Sequence, residues 1–166
     1  MTANGDQSVA VFPENANPMN ETPPPLPSAP RILVVHEAAP TLRLIRENLS
    51  HFTNAAVDTT PDAVSGYEQA LQRRYQLFIF NLKQPVLNGP LLYDLICKAY
   101  PHCHAGSRIA PGVVYITDPE AGLNVNNLTI DVRVKAVLVK PLTIERLLQS
   151  VDSVVTRRDP LTPPLK

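Results

Sequence analysis

Between Arg31 and Val155, short apolar runs alternate with longer stretches whose apolar residues recur every three or four positions. The first run, RILVV (31–35), shows no polar alternation, as expected for a strand covered on both faces. TLRLIRENL follows, with Leu42, Ile45 and Leu49 at helical spacing and Pro40 just ahead as a start signal. AAVD (55–58) is a weak second strand, and Thr60-Pro61-Asp62 opens a helix through Val64, Tyr67, Ala70 and Leu71. YQLFIF (75–80) predicts the third strand, and GPLLYDLICKAY (89–100) a helix presenting Leu91, Leu92, Leu95 and Ile96. GVVYIT (112–117) is the fourth strand. A helix after Asp118-Pro119 has the weakest signal, because GLNVNNLTIDV is rich in Asn and β-branched residues. AVLV (136–139) is the fifth strand. TIERLLQSVDSVV is an amphipathic helix with Ile144, Leu147, Leu148, Val151 and Val155 on one face.

Five strands alternating with five helices predict an α/β fold with a parallel sheet covered on both sides. Ligands of such sheets bind outside the carboxyl ends of the strands. Those ends are His36-Glu37, Asn81, Thr117 and Lys140.

The flanks read differently. Residues 1–30 hold seven prolines, among them Pro23-Pro24-Pro25 and Pro27, with too little apolar surface to offset their ordering entropy. A disordered tail is expected, whose PPPLPSAP favours polyproline II and suits a tether or a docking peptide. RRDPLTPPLK also reads as unstructured, which leaves residues 31–156 as one folded domain and 157–166 as a flexible tail.

Composition narrows the function classes. Fifteen Lys and Arg balance fifteen Asp and Glu, so nothing favours broad attraction to nucleic acid or anionic lipid. No apolar run approaches the ~20 residues of a membrane helix, and MTANGDQSVA lacks the features of a secretory signal. Cys97 and Cys103 make no disulfide framework. A cytoplasmic location is the expectation. In CKAYPHCHAGSRIAPG, Cys97, His102, Cys103 and His104 match no familiar metal spacing, so a solvent-exposed loop is expected, able to serve as an interaction surface.

The strand-end residues resemble the signature of the response-regulator receiver domain, over Arg31 to Val155. ILVVHE stands where that family has an apolar strand ending in two acids. LFIFNLKQPVLNG stands where it has a strand, the phospho-accepting Asp and a loop reading like M-P-x-x-D-G. VVYITD supplies the Thr or Ser strand end, and VLVKPL the Lys-Pro pair. The resemblance implies a flavodoxin-like (CheY-like) fold with strand order 2-1-3-4-5, and a cis bond before Pro141.

It also implies a broken site. The position of the aspartate that takes a phosphoryl group from a histidine kinase holds Asn81, and an amide is a poor nucleophile that forms no ordinary acyl phosphate. The acidic pair has become His36 and Glu37. Magnesium prefers carboxylate oxygen, so its binding should be weak or absent. His36 suits a hydrogen-bonding role. Thr117 and Lys140 keep the family's residues, but without phosphate Lys140 needs a partner, for which Glu37 and the Asn81 carbonyl are available. The aromatic-switch position, three residues before the lysine, holds Val137, which is β-branched and stiff.

The function expected is a stand-alone pseudo-receiver in two-component or phosphorelay signalling, without catalysis or an output domain. It would act through a protein partner (a receiver, a histidine kinase or an output protein), with homodimerisation open. The alternative is a small-ligand-binding protein or enzyme on the same flavodoxin-like architecture. Against it, no Gly- and Ser/Thr-rich loop follows the first strand to cradle phosphate. A third reading makes His36 an unorthodox phosphoryl acceptor.

Overall fold

Alternate residues of the predicted strands enter two separate cores, which explains why these strands lack polar positions. In the computed structural model, which describes residues 28–120 and 125–158, the strands are β1 (Arg31–Val35), β2 (Ala56–Thr60), β3 (Leu77–Asn81), β4 (Gly112–Thr117) and β5 (Val134–Val139). The helices are α1 (Ala39–Phe52), α2 (Ala63–Gln72), α3 (Gly89–Cys103), α4 (Val125–Leu128) and α5 (Ile144–Val151). The strands pair in parallel in the order β2-β1-β3-β4-β5, the expected arrangement.

Ile32, Val34, Ile79 and Val114 face α1 and α5, where they meet Leu42, Ile45, Leu49, Leu147 and Val151. Leu33, Val35, Phe78, Phe80 and Tyr115 face the other way, against Ala63, Ala70, Leu92, Ile96 and Tyr100 of α2 and α3. Helix starts follow local chemistry. The Asp62 carboxylate accepts from the Ser65 N–H at 2.8 Å and the Asn88 amide oxygen from the Leu91 N–H at 2.9 Å. α1 carries Pro40 in its first turn.

Several details differ from the periodicity. α3 turns Leu91 and Leu95 outward, at 46% and 37% exposure, and buries Tyr93 and Tyr100 beside Leu92 and Ile96. The aromatic layer decides this, because Phe78 offers ring contacts to both Tyr93 and Tyr100 at 6.3 Å. α3 also continues across Pro101 to Cys103, so much of the expected loop is helix. His104 is buried within that stretch, its Nε2 2.8 Å from the Ala70 carbonyl. α2 leaves Val64 half exposed and sets Ala63, Gly66 and Ala70 against the sheet. It lies so close that a Cβ on Gly66 would meet Val35 Cγ2 at 2.6 Å. α5 stops at Val151, with Ile144 half exposed and Val155 reaching the core from the following turn. β2 runs later than AAVD, to Thr60.

Backbone pairing continues past residue 156. Arg158 N–H donates to Phe52 O at 2.7 Å, and Thr156 exchanges hydrogen bonds with Asn54. Of the tails expected at 1–30 and 157–166, residues 1–27 and 159–166 lie outside the described residues. Among the described residues, no helix is long and apolar enough to cross a membrane.

Candidate functional site

Parallel pairing brings the strand ends together. Val35 pairs with Phe80, Asn81 with Ile116, and Thr117 with Val139. His36, Asn81, Thr117 and Lys140 therefore gather at one edge of the sheet.

Asn81 is 1% exposed, and its amide N–H groups are fully engaged. Nδ2 donates to Glu37 Oε2 at 2.6 Å and to Lys83 O at 3.2 Å. The reversed amide would set three acceptors against one another, so the network selects this orientation. Oδ1 is buried and has no hydrogen-bond partner among the described residues.

His36 is fully buried. Its Nδ1 accepts the Ala38 N–H at 3.0 Å, which assigns the proton to Nε2 and makes the imidazole neutral. The Glu37 carboxylate, 3.6 Å from Nδ1, is thus no ion-pair partner. Burial lowers the His36 pKa from its ordinary value; Glu37 and Asp118 pull it up, and Lys140 pushes it further down. A histidine depressed in this way supports folding fully above its unfolded pKa near ~6.5 and loses that support as pH falls toward the folded value. His36→Gln is therefore expected to flatten the fall in stability between about pH 7 and pH 5, read by urea unfolding at each pH. An unchanged slope would place the acid sensitivity in other groups.

Lys140 does not take the expected partner. Its Nζ lies 3.1 Å from Asp118 Oδ1, away from Glu37 and the Asn81 carbonyl. Asp118 directly follows Thr117, and Lys140 N–H donates to Thr117 O at 2.9 Å, so the β4–β5 pairing itself places an acid beside the ammonium. The Lys140–Pro141 peptide is cis, as expected. The Thr117 hydroxyl, nearly buried, donates to the Asp118 carbonyl at 3.3 Å. Val137 packs partly buried against the aromatic core, paired in register with Tyr115.

Gln84 was not legible as a site residue. It is 7% exposed, accepts the Glu37 N–H at 3.1 Å and donates to Pro61 O at 3.3 Å, so one side chain ties three loops together. Its signal was a polar residue at the Met position of the M-P-x-x-D-G-like loop. Two residues on, Val86 holds φ at 67° in a turn closed by Leu87 N–H to Pro85 O, and the residue is 94% exposed. A β-branched residue there costs roughly 1–3 kcal/mol. The Cys97–His104 stretch forms no metal cluster among the described residues.

This architecture is the fold of receiver domains. No protein-family model and no curated protein matches the chain, but solved structures do. A response-regulator receiver domain from Clostridium thermocellum aligns at 21% identity with TM-score 0.60, over 75% of this chain and 92% of that one. A CheY-like receiver domain from Methanospirillum hungatei aligns at 20% identity with TM-score 0.62, over 76% and 93%. A chemotaxis response regulator of Vibrio cholerae aligns at 16% identity with TM-score 0.60, over 76% and 98%.

Proposed function

We propose that this chain is a pseudo-receiver, a phosphorylation-independent binding module of two-component or phosphorelay signalling. One observation carries the reading: the Asn81 amide, in place of a nucleophilic carboxylate, donates to Glu37 Oε2 at 2.6 Å and to Lys83 O at 3.2 Å. Residue 81 supplies no carboxylate oxygen to attack phosphorus, and the Lys140 ammonium that would meet a phosphoryl group is paired with Asp118.

The residues present also fit magnesium poorly. A hard cation needs several oxygen lone pairs. Here Asn81 turns hydrogens toward Glu37 and Lys83, and a neutral imidazole replaces the second acid. Treatment with acetyl phosphate and magnesium is therefore expected to add no mass of one phosphoryl group to the intact protein. An adduct lost in Asn81→Ala would overturn the reading, whereas an adduct retained there would move the acceptor elsewhere, His36 included.

The action left to such a module is association with a protein in the cytoplasm, such as a receiver, a kinase or an output protein, or with a second copy. Val86 supports this, because an exposed apolar side chain held in a costly backbone conformation beside the site is what a partner contact would use. On the face formed by β5 and α5, Arg133 is held by Asp131 and Asp152 by Arg157, while Glu145 and Arg146 are exposed and make no ion pair among the described residues. Arg146→Glu is expected to weaken partner binding, measured by calorimetry, while stability stays within about 0.5 kcal/mol. Unchanged affinity would move the interface to the Val86 side.

A further inference from the structure

The amino end of the sheet, opposite the strand-end site, carries a groove of about 440 Å³. Ile109, Pro111 and Val154 line it beside Tyr75 and Tyr100, and Arg74 and Gln76 also contribute. Ile109 is 75% exposed, an uncovered apolar side chain at the groove. The arginines at this end are not equally committed. Arg31 and Arg73 both reach Asp58 Oδ2, at 2.9 and 3.3 Å. Among the described residues Arg74 binds neutral oxygens alone, the Ala105 carbonyl and the Ser107 hydroxyl. Arg108, next to Ile109, is exposed and has no ion pair among the described residues.

The chain enters the sheet beside this groove. Arg31 N–H donates to the Gln76 side-chain oxygen, and Gln76 N–H returns a bond to Arg31 O at 2.9 Å. Ahead of that point lie 27 residues outside the described part, ending in PPPLP at Pro23–Pro27. Residues 1–30 contain Asp6, Glu14 and Glu21 and no Lys or Arg, a net charge of −3. Residues 31–166 carry all fifteen basic side chains and the other twelve acids, a net charge of +3. The chain is neutral only because two oppositely charged parts are joined.

We propose that the acidic, proline-rich segment 1–27 docks in cis on the groove around Ile109, Pro111 and Val154, with its carboxylates facing Arg74 and Arg108. Proline-rich segments lose little entropy when they settle on apolar, aromatic-floored grooves, because polyproline II is already extended. The connection reaches: Pro27 is four residues from Arg31, which spans up to about 14 Å. Tethering also raises the local concentration of the segment, so weak contacts suffice.

The test uses the full chain. Backbone amide resonances are compared between the natural sequence and a variant with Pro23, Pro24, Pro25 and Leu26 all changed to Ser. Docking shifts the Ser107, Ile109, Gly112 and Val154 amides and leaves the strand-end residues Asn81 and Thr117 unmoved. Ile109→Glu, at a position exposed enough to spare the fold, shifts Leu26 and Ser28 in return. The same groove shifts appear on raising the salt concentration. Groove amides that ignore the Ser variant overturn the proposal. So do shifts that vanish on dilution, since they would assign the segment to the groove of a second copy.

Discussion

Asn81→Asp is expected to destabilise the protein by about 3 kcal/mol near pH 7, although it restores the residue that receiver domains carry. The site is 1% exposed. The substitution removes both N–H donors and sets a carboxylate against Glu37 Oε2 and Lys83 O, which then lack their hydrogen bonds. The Lys140 ammonium already pairs with Asp118 and would offset only part of the repulsion. Repulsion from Glu37 and burial would raise the pKa of the new carboxyl. The electrostatic part of the penalty is thus absent below the unfolded aspartate pKa near ~3.9, grows as pH rises toward the folded value and levels off above it. Urea unfolding of both proteins across this range reads the effect. With His36 neutral beside it, the single variant should bind magnesium and beryllofluoride weakly. Adding His36→Asp should rebuild an acidic cluster and bind both more tightly, while Val137 limits the conformational response. If Asn81→Asp alone is as stable as the natural protein and binds both ligands as well as the double variant, His36 is no defect.

Gly89→Ala is expected to cost about 3 kcal/mol, at the upper end for a single added methyl group. An added Cβ would lie 2.5 Å from the Asn81 carbonyl oxygen, 3.2 Å from its carbon and 3.3 Å from Leu82 Cα. All three atoms are backbone, so no side chain can swing aside. The first turn of α3 would have to move off the end of β3, losing the Gly89 N–H to Leu82 O bond at 3.1 Å. Gly106→Ala makes the comparison: it strains a φ of 84° but meets nothing within 4 Å, so about 1 kcal/mol is expected. Equal unfolding midpoints for the two variants would show that α3 adjusts freely.

Much of this was legible because it is local. Apolar runs, helical spacing, Pro40 and Asp62 act within a few residues of themselves, and they located the strands and helix starts. Periodicity failed where packing chose among apolar residues. Leu91 and Leu95 were as apolar as Tyr93 and Tyr100, but only the aromatic Phe78 and Phe80 layer made burying the tyrosines the better choice. Val64 lost to Gly66 and Ala70 because α2 approaches the sheet too closely for a branched side chain to fit beneath it.

The sequence by itself determined that residue 81 is an amide and that residue 36 is an imidazole. Their capacity for nucleophilic attack and for cation binding follows from the functional groups, wherever the chain places them. Only the tertiary structure decided which partners the groups of the site find. It joined Asn81 to Glu37 across 44 positions, sent Lys140 to Asp118 and not to Glu37, and made Gln84 the tie between three loops. Hydrogen bonds and ion pairs form within a few ångströms, and those distances are set by strand register and loop path, which no local pattern encodes.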